Sequence, residues 1–205
     1  MRWDCVAMVV AAMASPSPAC CQTADGMPDK EQLAIALDYF SGGKYREALN
    51  IFAKLDQKYK LNPRFKAYMG VCHYYNWEYK EACKYLDPYL DELEVYAPHE
   101  RSVYYFADAE SHFILEEYKQ SVAAYERALN VCYNKEKGDI YFKLGYCYMQ
   151  DGQWENAIQN LDSSLAYYEK FGYPDNKTAR VIQIRKMIKG CEEELRKNTV
   201  NSLPK

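Results

Sequence analysis

Residues 141–161, YFKLGYCYMQDGQWENAIQNL, constrain this chain more than any other stretch. Tyr141, Leu144, Gly145 and Tyr148 fall on one helical stripe; a turn follows, and Ala157 and Leu161 fall four apart on a second helix. The missing side chain at Gly145 and the small one at Ala157 matter most. They let two antiparallel helices approach closely, so the stretch predicts a tightly packed helical hairpin rather than two independent helices.

The pattern recurs. Met69, Gly70, His73, Tyr79, Ala82 and Leu86 keep the same register, with Gly70 and Ala82 separated as Gly145 and Ala157 are. An earlier copy has Ala36 in the Gly place, then Tyr39, the helix-stopping pair Gly42-Gly43, and Tyr45, Ala48 and Phe52. A less regular copy carries Tyr105, Asp108, Ala109, His112, Tyr118, Ser121, Tyr125 and Ala128. Taking Ala48, Ala82, Ser121 and Ala157 as equivalent gives spacings of 34, 39 and 36. Sequence, order and period together resemble the tetratricopeptide repeat family, whose repeat is about 34 residues. The resemblance covers roughly residues 31–196. It implies an all-α, right-handed superhelical solenoid of about four helix-turn-helix hairpins with a C-terminal capping helix.

Several local signals fit that plan. Asn62-Pro63 reads as a helix cap followed by Pro at the first helical position, where a missing N–H costs nothing. The excess spacing before the third repeat is expected as a longer second helix or loop at residues 92–99. Asp108 stands where the repeat wants Leu, which predicts a local shift of that helix rather than a buried carboxylate. Beyond the breaker Phe171-Gly172-Tyr173-Pro174-Asp175, residues 178–196 place Val181, Ile184, Met187, Ile188 and Cys191 on one stripe, as a terminal cap requires. The repeat domain is thus expected over residues 30–197, with a disordered tail over 198–205.

The N-terminus is of another kind. A short basic start, an apolar run over residues 6–14 and Ser15-Pro16-Ser17-Pro18-Ala19 read as a secretory signal peptide over 1–19, the run being too short for a bilayer core of about 30 Å. Three outcomes stay open: plain cleavage and export to the periplasm or cell envelope, lipidation of Cys20 and tethering to the outer membrane as a bacterial lipoprotein, or a frayed cytoplasmic N-terminus that is no signal at all. Residues 20–29 read as a linker. Eight cysteines lack any CxxC spacing, and Cys72, Cys83 and Cys147 fall where the repeat takes small apolar residues.

With 26 Lys and Arg against 29 Asp and Glu, nucleic acid is a poor partner. No nucleophile–base pattern, phosphate loop or paired-carboxylate motif is present, and no cofactor is implied, so an enzyme is not expected. His73 and His112 both occupy the Tyr place of their repeats and read as half-buried core residues rather than metal ligands. The resemblance implies a concave groove that holds a protein or peptide. Its groove-facing offsets fall on Tyr74, Tyr75, Phe106, Glu110, Phe113, Phe142, Tyr146 and Met149. These rings suit apolar or aromatic anchors better than an acidic tail, and the paired basic clamp of the chaperone-binding relatives is absent. The competing expectations are that the rings serve helix packing or are covered by the last helix, and that the protein is a self-assembling homo-oligomer.

Overall fold

The computed structural model describes residues 27–173 and 177–201. The expected signal peptide, Cys20 and residues 202–205 of the expected tail lie outside them. Nine α-helices and no strand occur among the described residues: α1 (Asp29–Ser41), α2 (Tyr45–Tyr59), α3 (Pro63–Tyr75), α4 (Tyr79–Leu86), α5 (Pro98–Ile114), α6 (Tyr118–Leu129), α7 (Asn134–Gln150), α8 (Trp154–Phe171) and α9 (Lys177–Asn201). The helices pair in order as hairpins, with α9 last. The fold is therefore an all-α array of tetratricopeptide-type hairpins. It divides into two units, Met1–Ser111 and His112–Lys205, with the boundary inside α5.

All four hairpins turn the same way. The carbonyls of Tyr39, His73, His112 and Tyr148 accept the N–H five residues on, from Lys44, Glu78, Glu117 and Gln153, at 2.8, 2.9, 2.9 and 2.9 Å. The residue before each of these donors is left-handed: Gly43 at φ 73°, Trp77 at 63°, Glu116 at 62° and Gly152 at 71°. This is the six-residue closure of a helix C-terminus, and glycine is its natural occupant. Two repeats therefore hold a bulkier residue in a conformation that costs an L-amino acid about 1–2 kcal/mol.

The close approach expected at the glycines is present. A Cβ on Gly70 would lie 2.5 Å from Leu86 Cγ, and one on Gly145 would lie 2.7 Å from Leu161 Cγ and 3.3 Å from the Ala157 carbonyl. Gly138, about two turns earlier in α7, would likewise bring a Cβ to 2.6 Å from the Tyr168 ring. Ser164 Oγ donates to the Gly138 carbonyl at 2.7 Å and Tyr168 Oη donates to Asp139 at 2.5 Å, so α7 and α8 stay in contact well below their turn. Ala36, Ala48, Phe52, Ala82, Leu86, Ser121, Tyr125, Ala157 and Leu161 are all fully buried.

Two local expectations change and a third is resolved. Of the longer helix or loop expected at the insertion, the loop is found: Pro88 lacks an N–H and its ring would collide with the preceding turn, so α4 stops at Leu86 after eight residues. Two short 3-10 turns, Asp87–Tyr89 and Glu92–Val95, carry the chain onward and bury Leu90 and Leu93. Asp108 is a buried carboxylate, 2% exposed, within a continuous α5, so no shift of the helix accommodates it. α9 runs to Asn201, five residues past Arg196, and buries Ile184 and Cys191 of the expected stripe. None of the described helices is long and apolar enough to cross a membrane.

Two substitutions test this account by chemical denaturation. Gly145→Ala gains helix propensity of about 1 kcal/mol but drives a methyl into Leu161 and the Ala157 carbonyl; the net expectation is a loss of about 1–2 kcal/mol. Glu116→Gly relieves the left-handed turn and stabilises the chain by up to about 1 kcal/mol, and an unchanged or lower stability would contradict the strained assignment.

Candidate functional site

In the first unit the side chains that could meet a partner depend on how α3 is held against α5. Asn62 caps α3, its Oδ1 accepting from Arg64 N at 3.1 Å, and Pro63 opens the helix. Arg64 then forks onto Glu100 in the first turn of α5, Nε to Oε1 at 2.6 Å and Nη2 to Oε2 at 2.9 Å. Tyr104 Oη donates to the same carboxylate at 2.6 Å, and the guanidinium lies 5.0 Å from the centre of the Tyr96 ring. Glu100 is 6% exposed, so this bidentate pair neutralises a charge that would otherwise be costly to bury. A second pair, Lys66 Nζ to Asp56 Oδ2 at 2.5 Å, fixes α3 to α2.

At the far end of α3, Tyr74 and Tyr75 are half-buried among other rings. Tyr75 stacks on Tyr45 at 4.1 Å and 6°; Tyr74 meets Tyr75 edge-on at 5.0 Å and stands 6.1 Å from Tyr79. Burial raises the Tyr74 phenol far above its ordinary value, and the negative charge of Glu110 adds to the effect. Glu110 is 9% exposed, and Phe106, one turn earlier on α5, is half-buried.

In the second unit Phe113, Tyr118 and Tyr146 form a half-buried ring cluster, with Phe113 and Tyr146 5.3 Å apart and Tyr118 6.3 Å from Tyr146. The Lys143 ammonium sits 4.0 Å over the Phe113 ring. Phe142 and Met149 belong elsewhere. Phe142 is 9% exposed in a core with Leu161, Tyr168 and Ile184, Met149 packs against that core, and Arg180 of α9 lies 4.3 Å over the Phe142 ring. The last helix thus covers these two, while Phe113, Tyr118 and Tyr146 stay half-buried.

The turn explains which rings meet. Its closure brings the ring just after the accepting carbonyl to the first ring of the second helix, five residues on: Phe40 with Tyr45 at 5.8 Å, Tyr74 with Tyr79 at 6.1 Å, Phe113 with Tyr118 at 6.1 Å. Tyr45, Tyr79 and Tyr118 were legible as repeat markers but not as neighbours of the candidate residues; the i, i+5 aromatic spacing across each turn was the available signal. The same closure pairs His73 Nδ1 with Glu78 Oε2 and His112 Nδ1 with Glu117 Oε2, both at 2.6 Å, so each histidine buttresses its own turn. His73 also stacks on Tyr85 at 5.1 Å.

Cys72, Cys83, Cys132, Cys147 and Cys191 are buried thiols not joined in disulfides. Burial pushes the Cys132 thiol up to about 11 and raises those of Cys72 and Cys191, which is the opposite of what a thiolate nucleophile needs. A small cavity of about 220 Å³ lined by Lys135, Asp139, Phe171, Gly172 and Tyr173 contains none of the predicted site residues.

The buried phenols set an alkaline limit on stability. Burial raises Tyr68, Tyr74, Tyr104 and Tyr168 above the value of about 10 that they take in an unfolded chain. Protonated in the fold and ionised when unfolded, they contribute stability that is complete below about pH 10 and falls as pH rises further. Absorbance at 295 nm should show most of the 21 tyrosines ionising near pH 10 and a held-back fraction ionising only as the helical signal is lost. Complete ionisation with the helices intact would contradict the burial.

Comparison with known proteins places this architecture. Residues 139–170 match the profile of the tetratricopeptide repeat family. A crystal structure of MamA protein superposes with a TM-score of 0.55 at 17% identity, covering 86% of this chain and 97% of that one. MamA AMB-1 gives a TM-score of 0.58 at 12% identity, covering 80% and 90%. MamA from Desulfovibrio magneticus RS-1 gives 0.55 at 17% identity, covering 82% and 96%. No curated protein matches by sequence. At such identities the likeness is one of fold, and the fold is that of stacked tetratricopeptide hairpins.

Proposed function

We propose that this protein is a non-catalytic interaction scaffold that holds a protein or peptide segment against the open aromatic faces of its first-of-pair helices. The observation that carries the reading is the set of half-buried rings left over once the core is filled: Tyr74, Tyr75 and Phe106 in the first unit, Phe113 and Tyr146 in the second. Rings with only part of their surface covered offer large contact area at little entropic cost, the usual anchors of protein interfaces. Tetratricopeptide repeats generally serve such binding, which agrees with the absence of catalytic motifs in the sequence. We further propose that the chain works after export, in the cell envelope, with Cys20 either cleaved next to or lipidated; mass spectrometry of the mature N-terminus distinguishes the two.

A second reading, self-assembly, is favoured by Ile182, 48% exposed on α9, the helix that ends the array where a further hairpin would stack. Light scattering on the mature protein, with and without Ile182→Glu, separates the readings. A monomer throughout argues against assembly.

For the scaffold, Tyr74→Ala, Phe106→Ala and Tyr146→Ala together should abolish capture of partners from an envelope fraction while the helical signal stays and melting falls only by several degrees. Collapse of the fold instead would show that the rings are packing residues and overturn the assignment.

A further inference from the structure

Among the described residues, one group of metal-type side chains comes together, and it is buried: Cys83 on α4 with Asp108 and His112 on α5, at 7%, 2% and 5% exposure. One ligand atom from each lies within 4.8 Å of the other two. Three atoms so placed fit within about 2.8 Å of a common point, against bonds of about 2.0–2.3 Å to zinc, so side-chain adjustments of about half an ångström close a coordination sphere. Asp108 and His112 stand one turn apart on a single unbroken helix, a spacing that sends both side chains to one face. Asp108 occupies a place where the repeat takes Leu, and a carboxylate is kept in a core only where a cation or hydrogen bonds compensate it. His112 donates from Nδ1 to Glu117 Oε2 at 2.6 Å, which makes Nε2 the nitrogen for a metal and supplies the outer carboxylate that orients a ligating imidazole. His73 makes the same bond to Glu78 but has Met69, not an acid, one turn before it, so buttressing the turn does not by itself call for Asp108.

We propose that Cys83, Asp108 and His112 bind a zinc ion that ties α4 to α5. The mixed sulfur, oxygen and nitrogen set suits zinc, whereas magnesium and calcium take oxygen ligands. These side chains already interact within the fold, and the metal takes over those contacts, the Cys83 thiol proton leaving to solvent as the Zn–S bond forms. Thiolate, carboxylate and neutral imidazole together balance the charge of a divalent cation, so the loaded site is neutral in its buried setting. With three protein ligands the fourth position falls to water.

Cobalt tests the site, because a thiolate ligand gives Co2+ an intense charge-transfer absorption. The full chain produced in cobalt-supplemented medium should show that absorption together with tetrahedral d–d bands, and Zn2+ should displace both. Cys83→Ser and Asp108→Asn should each abolish the charge-transfer band, whereas Cys147→Ser should leave it, which also separates the site from the adjacent pair Cys20 and Cys21. Glu117→Gln, at an exposed position, should weaken retention of the metal against a chelator about ten- to a hundredfold, and Glu78→Gln should leave it unchanged. A chain that never shows the charge-transfer band, or one whose band survives Cys83→Ser or Asp108→Asn, overturns the proposal. Should those two variants lose their helical signal, the glutamate comparison decides: equal retention by Glu117→Gln and Glu78→Gln overturns the proposal, and selective loss in Glu117→Gln upholds it. The scaffold reading stands or falls separately, on the ring substitutions.

Discussion

One hydrogen bond per hairpin fixes most of what is specific to this structure. The carbonyl of residue 39, 73, 112 or 148 accepts the N–H five positions on, with a left-handed residue just before that donor. Because the closure has no spare residues, the second helix always starts at the next position, and its first side chain always faces the last turn of the first helix. The small-residue contacts then follow from register alone: Ala48, Ala82, Ser121 and Ala157 each lie four residues after the donor, where a bulky side chain would hold the helices apart. Without a fixed turn, Leu161 could not be seated in the space that the missing Cβ of Gly145 leaves open.

The same bond decides the polar chemistry of the turns. In the first and last hairpins the left-handed place holds Gly43 and Gly152, while the middle two hold Trp77 and Glu116. Those two are the hairpins in which a histidine bonds the glutamate five residues on. The side-chain pair spans the same two residues as the backbone bond and reinforces it where the backbone is strained. Trp77 is 78% exposed, so its own ring packing does not offset that strain.

Much of the fold was legible because its determinants are local. Gly145 with Ala157, Gly70 with Ala82, and the Asn62-Pro63 cap act within one hairpin, and a spacing rule captures them. What escaped were effects that need a neighbour or a break in period. Pro88 shortens α4, a breaker that the count of excess residues hid. Phe142 and Met149 satisfy the offset for an open face, yet α9 packs there, and no spacing within one repeat reports what the next helix covers. Asp108 was legible only as a misfit, because its burial depends on surroundings contributed by other helices. For the candidate site, the offsets located the rings but not their partners Tyr45, Tyr79 and Tyr118, which follow from the turn.

The abundance of tyrosine over phenylalanine has its own physical ground. Three buried or half-buried tyrosines donate to carboxylates within their units: Tyr104 to Glu100, Tyr148 to Glu126 and Tyr168 to Asp139. A phenylalanine of the same shape would fill the same space and leave each acid one donor short, at a cost that grows with burial. At Tyr168 the argument is tightest, since the ring fills the space over Gly138 while its hydroxyl reaches Asp139, the next residue of α7. One side chain thereby closes the helix contact and satisfies the acid beside it. Tyr74, Tyr75 and Tyr146 contribute through their rings, which pack on Tyr75, Tyr45 and Phe113 respectively. Tyrosine thus has two uses in this fold: at Tyr104, Tyr148 and Tyr168 the hydroxyl satisfies an acid, and at Tyr74, Tyr75 and Tyr146 the ring packs against its neighbours.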